Sequence, residues 1–164
     1  MNNTGTLQVK SNADREIVMT RVFNAPRSMV FDALTKPELL KRWLLGPPGW
    51  AMPVCEVDLR VGGRYRYVWR READGTEMGC GGVFREIVTP ERLVQTERFD
   101  QPWYPGESLI TTVLDEQGGR TTLSATMLYE SREARDGILK SGMESGVAAS
   151  YDRLATLVEK VRTL

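Results

Sequence analysis

Few side chains in this sequence could do chemistry, and their types narrow what that chemistry could be. There is no histidine, which removes the commonest general base, the relay of a Ser-His-Asp triad and the commonest zinc ligand together. Acid–base work would fall to a carboxylate or a phenol. Glu97 stands out because along Leu93, Gln95, Glu97 and Phe99 it has the parity of apolar neighbours. On a concave face, burial would raise its pKa and make it an acid or base beside Tyr67. As a strand-end residue it would instead pair with Arg98 or Arg120. Glu56 and Asp58 alternate with Cys55, Val57 and Leu59 and are expected to face water.

The run GRYRYVWR sets Tyr65, Tyr67 and Trp69 on one face of a strand and Arg64, Arg66 and Arg70 on the other. The aromatics suit either a pocket wall with phenolic hydroxyls for orientation or a plain aromatic core, and both readings stay open. The arginines, with Arg71, lie near Glu72, Glu77 and Glu86. Cross-strand ion pairs on a solvated face account for them, with a phosphate or nucleic-acid site as the alternative. Gly79, Gly81 and Gly82 are not followed by a helix, so they lack the amide cradle of a phosphate loop and mark a bulge, a sheet bend or room for a ligand. Cys55 and Cys80 have no metal or redox spacing and read as free thiols. No metal or cofactor is expected. Trp50, Trp103 and Tyr104 fall in two turns, where they could rim a pocket mouth, form a dimer contact or simply pack.

The elements that must position these groups follow from periodicity and breakers. Glu16 to Phe23 alternates Ile17, Met19 and Arg21 with Val18, Thr20 and Val22 as a strand, ended by Asn24, Ala25 and Pro26. Pro26 suits the first position of a short helix carrying Met29, Val30, Ala33 and Leu34, and a second runs from Pro37 to Leu44 until GPPGW stops it. Strands follow at Pro53 to Leu59, Gly63 to Arg70, Met78 to Val88, Arg92 to Phe99, Ser108 to Asp115 and Thr121 to Tyr129. Between them lie turns at Val61-Gly62-Gly63, Ala73-Asp74-Gly75, Thr89-Pro90-Glu91, Gln101 to Gly106 and Gln117-Gly118-Gly119. The spacing leaves no room for crossover helices, so the sheet must be mostly antiparallel. Ser131 caps a helix near 131 to 139, and a long helix from about 141 to 163 carries the stripe Met143, Val147, Ser150, Tyr151, Leu154, Leu157, Val158 and Val161, with Glu144, Asp152, Arg153, Glu159 and Lys160 facing away. The sheet is the only large apolar partner for that stripe. The expected fold is α+β, a helix grip: a curved, mostly antiparallel sheet of six or seven strands around the C-terminal helix, leaving a concavity between them.

The chain has 164 residues, enough for one domain with a full core. Residues 1–14 are expected to be a flexible N-terminus and 15–164 the domain. Lysine plus arginine equal aspartate plus glutamate at 22 each, so no global field gathers polyanions or anionic membranes, and neither nucleic acid nor membrane is an expected partner. No apolar run approaches the ~20 residues that span a bilayer, and no signal core opens the chain, which points to the cytoplasm.

Several stretches resemble the START-like, or Bet v 1-like (SRPBCC), superfamily, and within it the branch of homologues of the activator of heat-shock protein 90 ATPase. RVFNAPRSMVFDALTKPELLKRWL is similar to that family's opening strand and two helices, and WLLGPPGW to its tryptophan and glycine-proline loop. VDLRVGGRYRYVWR resembles its double-glycine hairpin and GVFREIVTPERLVQTE its glycine-aromatic strand and proline turn. The segments TTVLDEQGGRTTLSATMLYES and SGMESGVAASYDRL resemble the closing hairpin and the gripping helix. The resemblance runs from Ile17 to about Val161. It implies a scaffold shared by lipid and hormone binders, polyketide aromatases and cyclases, resistance proteins and chaperone activators, so fold alone does not choose among them. The branch name implies a stress response, but the chaperone activators use a further N-terminal domain for which this chain is too short.

The expected function is binding of an apolar or aromatic small molecule between sheet and helix by Tyr65, Tyr67, Trp69, Phe84, Glu97, Met143, Val147 and Tyr151. The alternatives are a cofactor-independent enzyme of aromatase or cyclase type using Glu97 and a tyrosine, and a chaperone-associated or dimeric interaction protein using a patch at Trp50 or Trp103. A homodimer stays open.

Overall fold

Strict alternation builds the strand that opens the core. In β2 (Glu16–Phe23), Ile17, Met19, Arg21 and Phe23 are buried and the residues between them half-buried, the pattern of a strand covered on one face. The computed structural model describes residues 7–101 and 106–163. Pro26 is the N-cap of α1 (Arg27–Thr35), one position earlier than its fixed φ alone suggests, and Pro37 opens α2 (Pro37–Trp43). The two helices are locked at their corner by the Trp43 indole, which donates to the Ala33 carbonyl at 2.8 Å.

The strands β3 (Trp50–Val57), β4 (Arg64–Arg71), β5 (Glu77–Val88), β6 (Arg92–Phe99), β7 (Ser108–Gln117) and β8 (Arg120–Leu128) follow, and every pairing is antiparallel. The turns fall at the expected glycines: Gly62, Gly75, Gly118 and Gly119 all take positive φ, which costs a residue without Cβ little. The sheet order is β1-β2-β8-β7-β6-β5-β4-β3.

The sheet has eight strands, more than the six or seven expected. The addition is β1 (Gln8–Asn12), inside the stretch expected to be flexible, and it pairs with β2 from Gln8 opposite Thr20 to Asn12 opposite Glu16. Its side chains are almost all exposed, so backbone hydrogen bonds to a buried strand hold it, and no apolar alternation marks it in the sequence.

Ser131 caps α3 (Arg132–Lys140), its hydroxyl accepting from the Ala134 N–H at 3.0 Å. Gly142, at φ +82°, separates α3 from the long α4 (Met143–Thr163). Ser150, Tyr151, Leu154, Ala155 and Val158 are buried, while Met143, Val147 and Leu157 of the same stripe are half-buried. The side chains of Lys160 and Val161 lie outside the described residues. The sheet is not the sole partner of this stripe. The principal backbone neighbours of α4 are α2, then α1, α3 and β2, because the two short helices cross the opening of the sheet and present Val30, Phe31, Leu40 and Trp43 inward. This is a helix-grip fold of α+β class. Among the described residues no helix is long and apolar enough to cross a membrane.

Candidate functional site

The register of β4, β5 and β6 assembles one side of the site. Tyr65 lies opposite Gly82, Tyr67 opposite Cys80 and Trp69 opposite Met78, while Phe84 lies opposite Gln95 and Cys80 opposite Phe99. With a two-residue side-chain period these positions share the inner face with Glu97. The aromatics form a continuous ladder, with ring centroids 5.5 Å apart for Tyr65 and Phe84, 4.9 Å for Tyr65 and Tyr67, and 5.9 Å for Tyr67 and Trp69. The Trp69 indole donates to the Leu44 carbonyl at 2.7 Å, which ties the top of the ladder to the end of α2. Cys55 and Cys80 flank Tyr67 on its two neighbouring strands. Both are buried free thiols. Burial pushes Cys55 up to about 11 and Cys80 higher still, so neither is a ready nucleophile.

The glycines of β5 prove to be places of close approach. A Cβ on Gly82 would collide with the Thr96 carbonyl, and one on Gly81 would come within 2.6 Å of the Tyr65 carbonyl. The ladder to β6 is irregular just beyond: the Val83 N–H donates to the Thr96 hydroxyl at 2.9 Å, and the Thr96 carbonyl accepts instead from the Tyr65 hydroxyl at 2.5 Å. Tyr65 is therefore a structural donor that completes a broken ladder. Burial, with the nearby Glu97 charge adding to it, raises its phenol far above the ordinary value.

Tyr67 and Glu97 are different. Neither the Tyr67 hydroxyl nor the Glu97 carboxylate has a hydrogen-bond or ion-pair partner among the described residues; the pairing of Glu97 with Arg98 or Arg120 considered from sequence does not form. Yet no buried side-chain nitrogen or oxygen of the described residues is left unpaired, so both polar ends meet accessible space. Burial pushes the Glu97 carboxyl up to about 7, and burial likewise raises the Tyr67 phenol, with Glu97 among the lesser causes.

The helix side is built separately. Tyr151, placed by sequence with the ladder, packs on Phe23 and Trp43 instead, with ring centroids at 6.1 and 5.9 Å, because α2 lies closer to α4 than the aromatic strand does. Burial pushes its phenol up to about 12. Met143 and Val147 sit half-buried against the core in the first turns of α4. Asp152 does not simply face away: its carboxylate holds the buried Arg21 guanidinium at 2.6 Å. The glycine-proline loop is clamped to the same helix, the Gly46 N–H donating to the Ser150 hydroxyl and the Gly46 carbonyl accepting from Arg153, both at 2.8 Å. Nothing in the local sequence pattern marks either contact, since each joins residues more than a hundred positions apart.

The opposite face of β4–β6 is a solvated ion-pair surface. Arg66 grips Asp100 bidentately at 2.6 Å and Arg70 holds Glu77 at 2.7 Å, while Arg71, at the end of β4 and of the other parity, holds Asp74 of the following turn at 2.7 Å. Gly79 leaves room for the first of these pairs. An open depression of about 610 Å³ on this face is lined by Glu56, Arg64, Arg66, Gly81, Arg98 and Glu107, charges of both signs that select no one ligand. Trp50 is half-exposed with the Arg71 guanidinium 5.5 Å from its ring centre. Trp103 and Tyr104 lie outside the described residues. No cluster of metal-ligating side chains occurs among the described residues.

Residues 24–159 match the family described as activator of Hsp90 ATPase homolog 1-like protein. Two similar solved structures are a Rhodobacter sphaeroides protein, 30% identical over 97% of this chain and 100% of that one with a TM-score of 0.86, and a Chromobacterium violaceum protein, 32% identical over 90% and 99% with a TM-score of 0.79. An AHSA1-like protein from Aeromonas hydrophila, 17% identical over 85% of this chain and 93% of that one, shares the fold at a TM-score of 0.66. No curated protein sequence matches the chain significantly. Since the family match runs from the end of β2 almost to the end of α4, the chain belongs to the activator of Hsp90 ATPase homolog 1-like family.

Proposed function

We propose that this protein binds an apolar or aromatic small molecule between the inner face of β4–β6 and the first turns of α4. The observation that carries this reading is the state of Tyr67 and Glu97, two polar groups on a largely aromatic stretch of the inner face that reach accessible space and engage no partner among the described residues. Apolar walls with a few unsatisfied polar groups are what an orienting ligand site requires. The half-buried Met143 and Val147 support it. An NMR titration of the labelled protein with 2-naphthalenemethanol tests the site. Saturable shifts at Tyr67, Trp69, Glu97 and Val147 are expected; shifts confined to Arg64, Gly81 and Arg98, or none, would overturn it.

A catalytic reading has one observation in its favour, a Glu97 carboxyl that titrates at about 7 and so suits general acid–base work. Ligand turnover that Glu97→Gln abolishes while binding survives would move the protein to that class. Action on a chaperone through the outer surface has less support. Among the described residues the exposed large apolar side chains, Leu59, Val61, Val88, Val113 and Leu139, are spread over the β3–β4 turn, β5, β7 and α3, where a docking patch would gather them.

A further inference from the structure

We infer that the ligand is an amphipathic organic cation, its protonated amine seated on the Glu97 carboxylate and its apolar body lying along Tyr67 and Trp69. This deepens the binding reading above and rests on it. The argument begins with the charges of the inner face. Among the described residues the charged side chains along the middle of that face are Arg21 and Glu97, and Arg21 already holds Asp152. It also stands on β2, three strand spacings from β6, about 14 Å at the usual separation of ~4.8 Å. Arg21 therefore cannot serve as counter-ion to Glu97.

The groups that feel the Glu97 charge from the neighbouring strands are Tyr65 and Tyr67 on β4 and Cys80 on β5, all neutral, and each is driven toward its neutral form by that charge. Ser108, opposite Glu97 on β7, does not titrate. Met143 and Val147, from α4, are uncharged. A carboxylate so placed lacks a positive partner among the described residues, and for a group desolvated by burial a ligand cation supplies one at greater gain than in bulk water. Aromatic faces add to the attraction for a cation and not for an anion. Burial, which pushes the Glu97 carboxyl up to about 7, is the cost that such a contact offsets.

Three probes of one shape separate the possibilities: 2-naphthylmethylamine, 2-naphthalenemethanol and 2-naphthoate, titrated calorimetrically into the full chain at pH 7.5. The amine is expected to bind about tenfold or more tighter than the alcohol, the order of one well-formed charge-assisted contact, and the carboxylate weakest. In Glu97→Gln the amine-to-alcohol ratio should collapse toward one. The wild-type protein gives a second readout that needs no variant: amine affinity should rise between pH 5.5 and 8 as Glu97 ionises, while alcohol affinity does not. Equal binding of amine and alcohol, preference for the carboxylate, or an amine preference that survives Glu97→Gln would overturn the inference and leave the binding site standing. If no probe binds, the binding reading fails and the inference with it.

Discussion

Glu97 ionises in the unfolded chain near its ordinary value of 4.5, whereas in the fold burial holds it at about 7. Between these values the folded protein keeps a proton that the unfolded chain has released, so this residue's contribution to stability is fully present below about 4.5 and is lost as pH rises through about 7. Tyr65, Tyr67 and Cys80, which face it, stay neutral throughout that window. Glu97→Gln should therefore be more stable than wild type at pH 8, on the order of 1–3 kcal/mol, with the difference vanishing toward pH 4.5. Urea unfolding at a series of pH values checks it, and the carboxylates common to both proteins cancel in the difference. A constant difference across the range would show that Glu97 acts through packing instead. The parity that singled out Glu97 was legible in the sequence, since alternation along a strand fixes the face. Its freedom from Arg98 and Arg120 was not, because partners depend on how β6 lies against strands whose register no local pattern encodes.

At the scale of elements, period and breakers located the strands of the meander and all four helices, since turns and helix ends are local chemistry. β1 escaped because it is polar and held by backbone pairing, and the share that α1 and α2 take in covering α4 was not legible because an amphipathic stripe says that a face is covered without saying by what. The glycines of β5 were legible as a bend, yet not the reason for it, which lies in Tyr65. Its hydroxyl takes the place of a ladder donor at the Thr96 carbonyl, and Gly82 keeps clear the space that this exchange needs. Tyr65→Phe leaves a buried carbonyl unpaired and should cost about 1–3 kcal/mol in denaturant unfolding. Gly82→Ala drives a methyl into the same carbonyl and should cost about as much or more, because the obstacle is backbone and cannot swing aside. Made together, the two changes should cost less than their sum, since the second acts on a junction the first has already loosened. Strict additivity would mean that hydroxyl and glycine are independent features.

For the whole molecule, α4 is the element through which distant parts of the chain are joined: Arg21 of β2 through Asp152, and the loop after α2 through Ser150 and Arg153. That loop begins at the Leu44 carbonyl that holds Trp69, so its attachment to α4 also steadies the wall of the proposed site. Ser150→Ala with Arg153→Ala should release it, seen as faster amide hydrogen exchange across residues 44–50 with little change in the strands of β7 and β8. The Arg21–Asp152 pair joins a side chain that is 3% exposed to one that is 64% exposed. The attraction is thus partly screened, but the guanidinium stays inside the grip beside the Phe23 ring and loses its carboxylate when Asp152 is changed. Asp152→Asn should accordingly lower stability by about 1–3 kcal/mol. Arg21→Met added to that variant should restore most of the loss, since an apolar chain of similar length suits the surroundings of Ile17, Met19 and Phe23 without needing a counter-charge. Denaturant midpoints at unchanged m-value read both effects. A double variant less stable than Asp152→Asn alone would show that Arg21 is kept for contacts other than this ion pair.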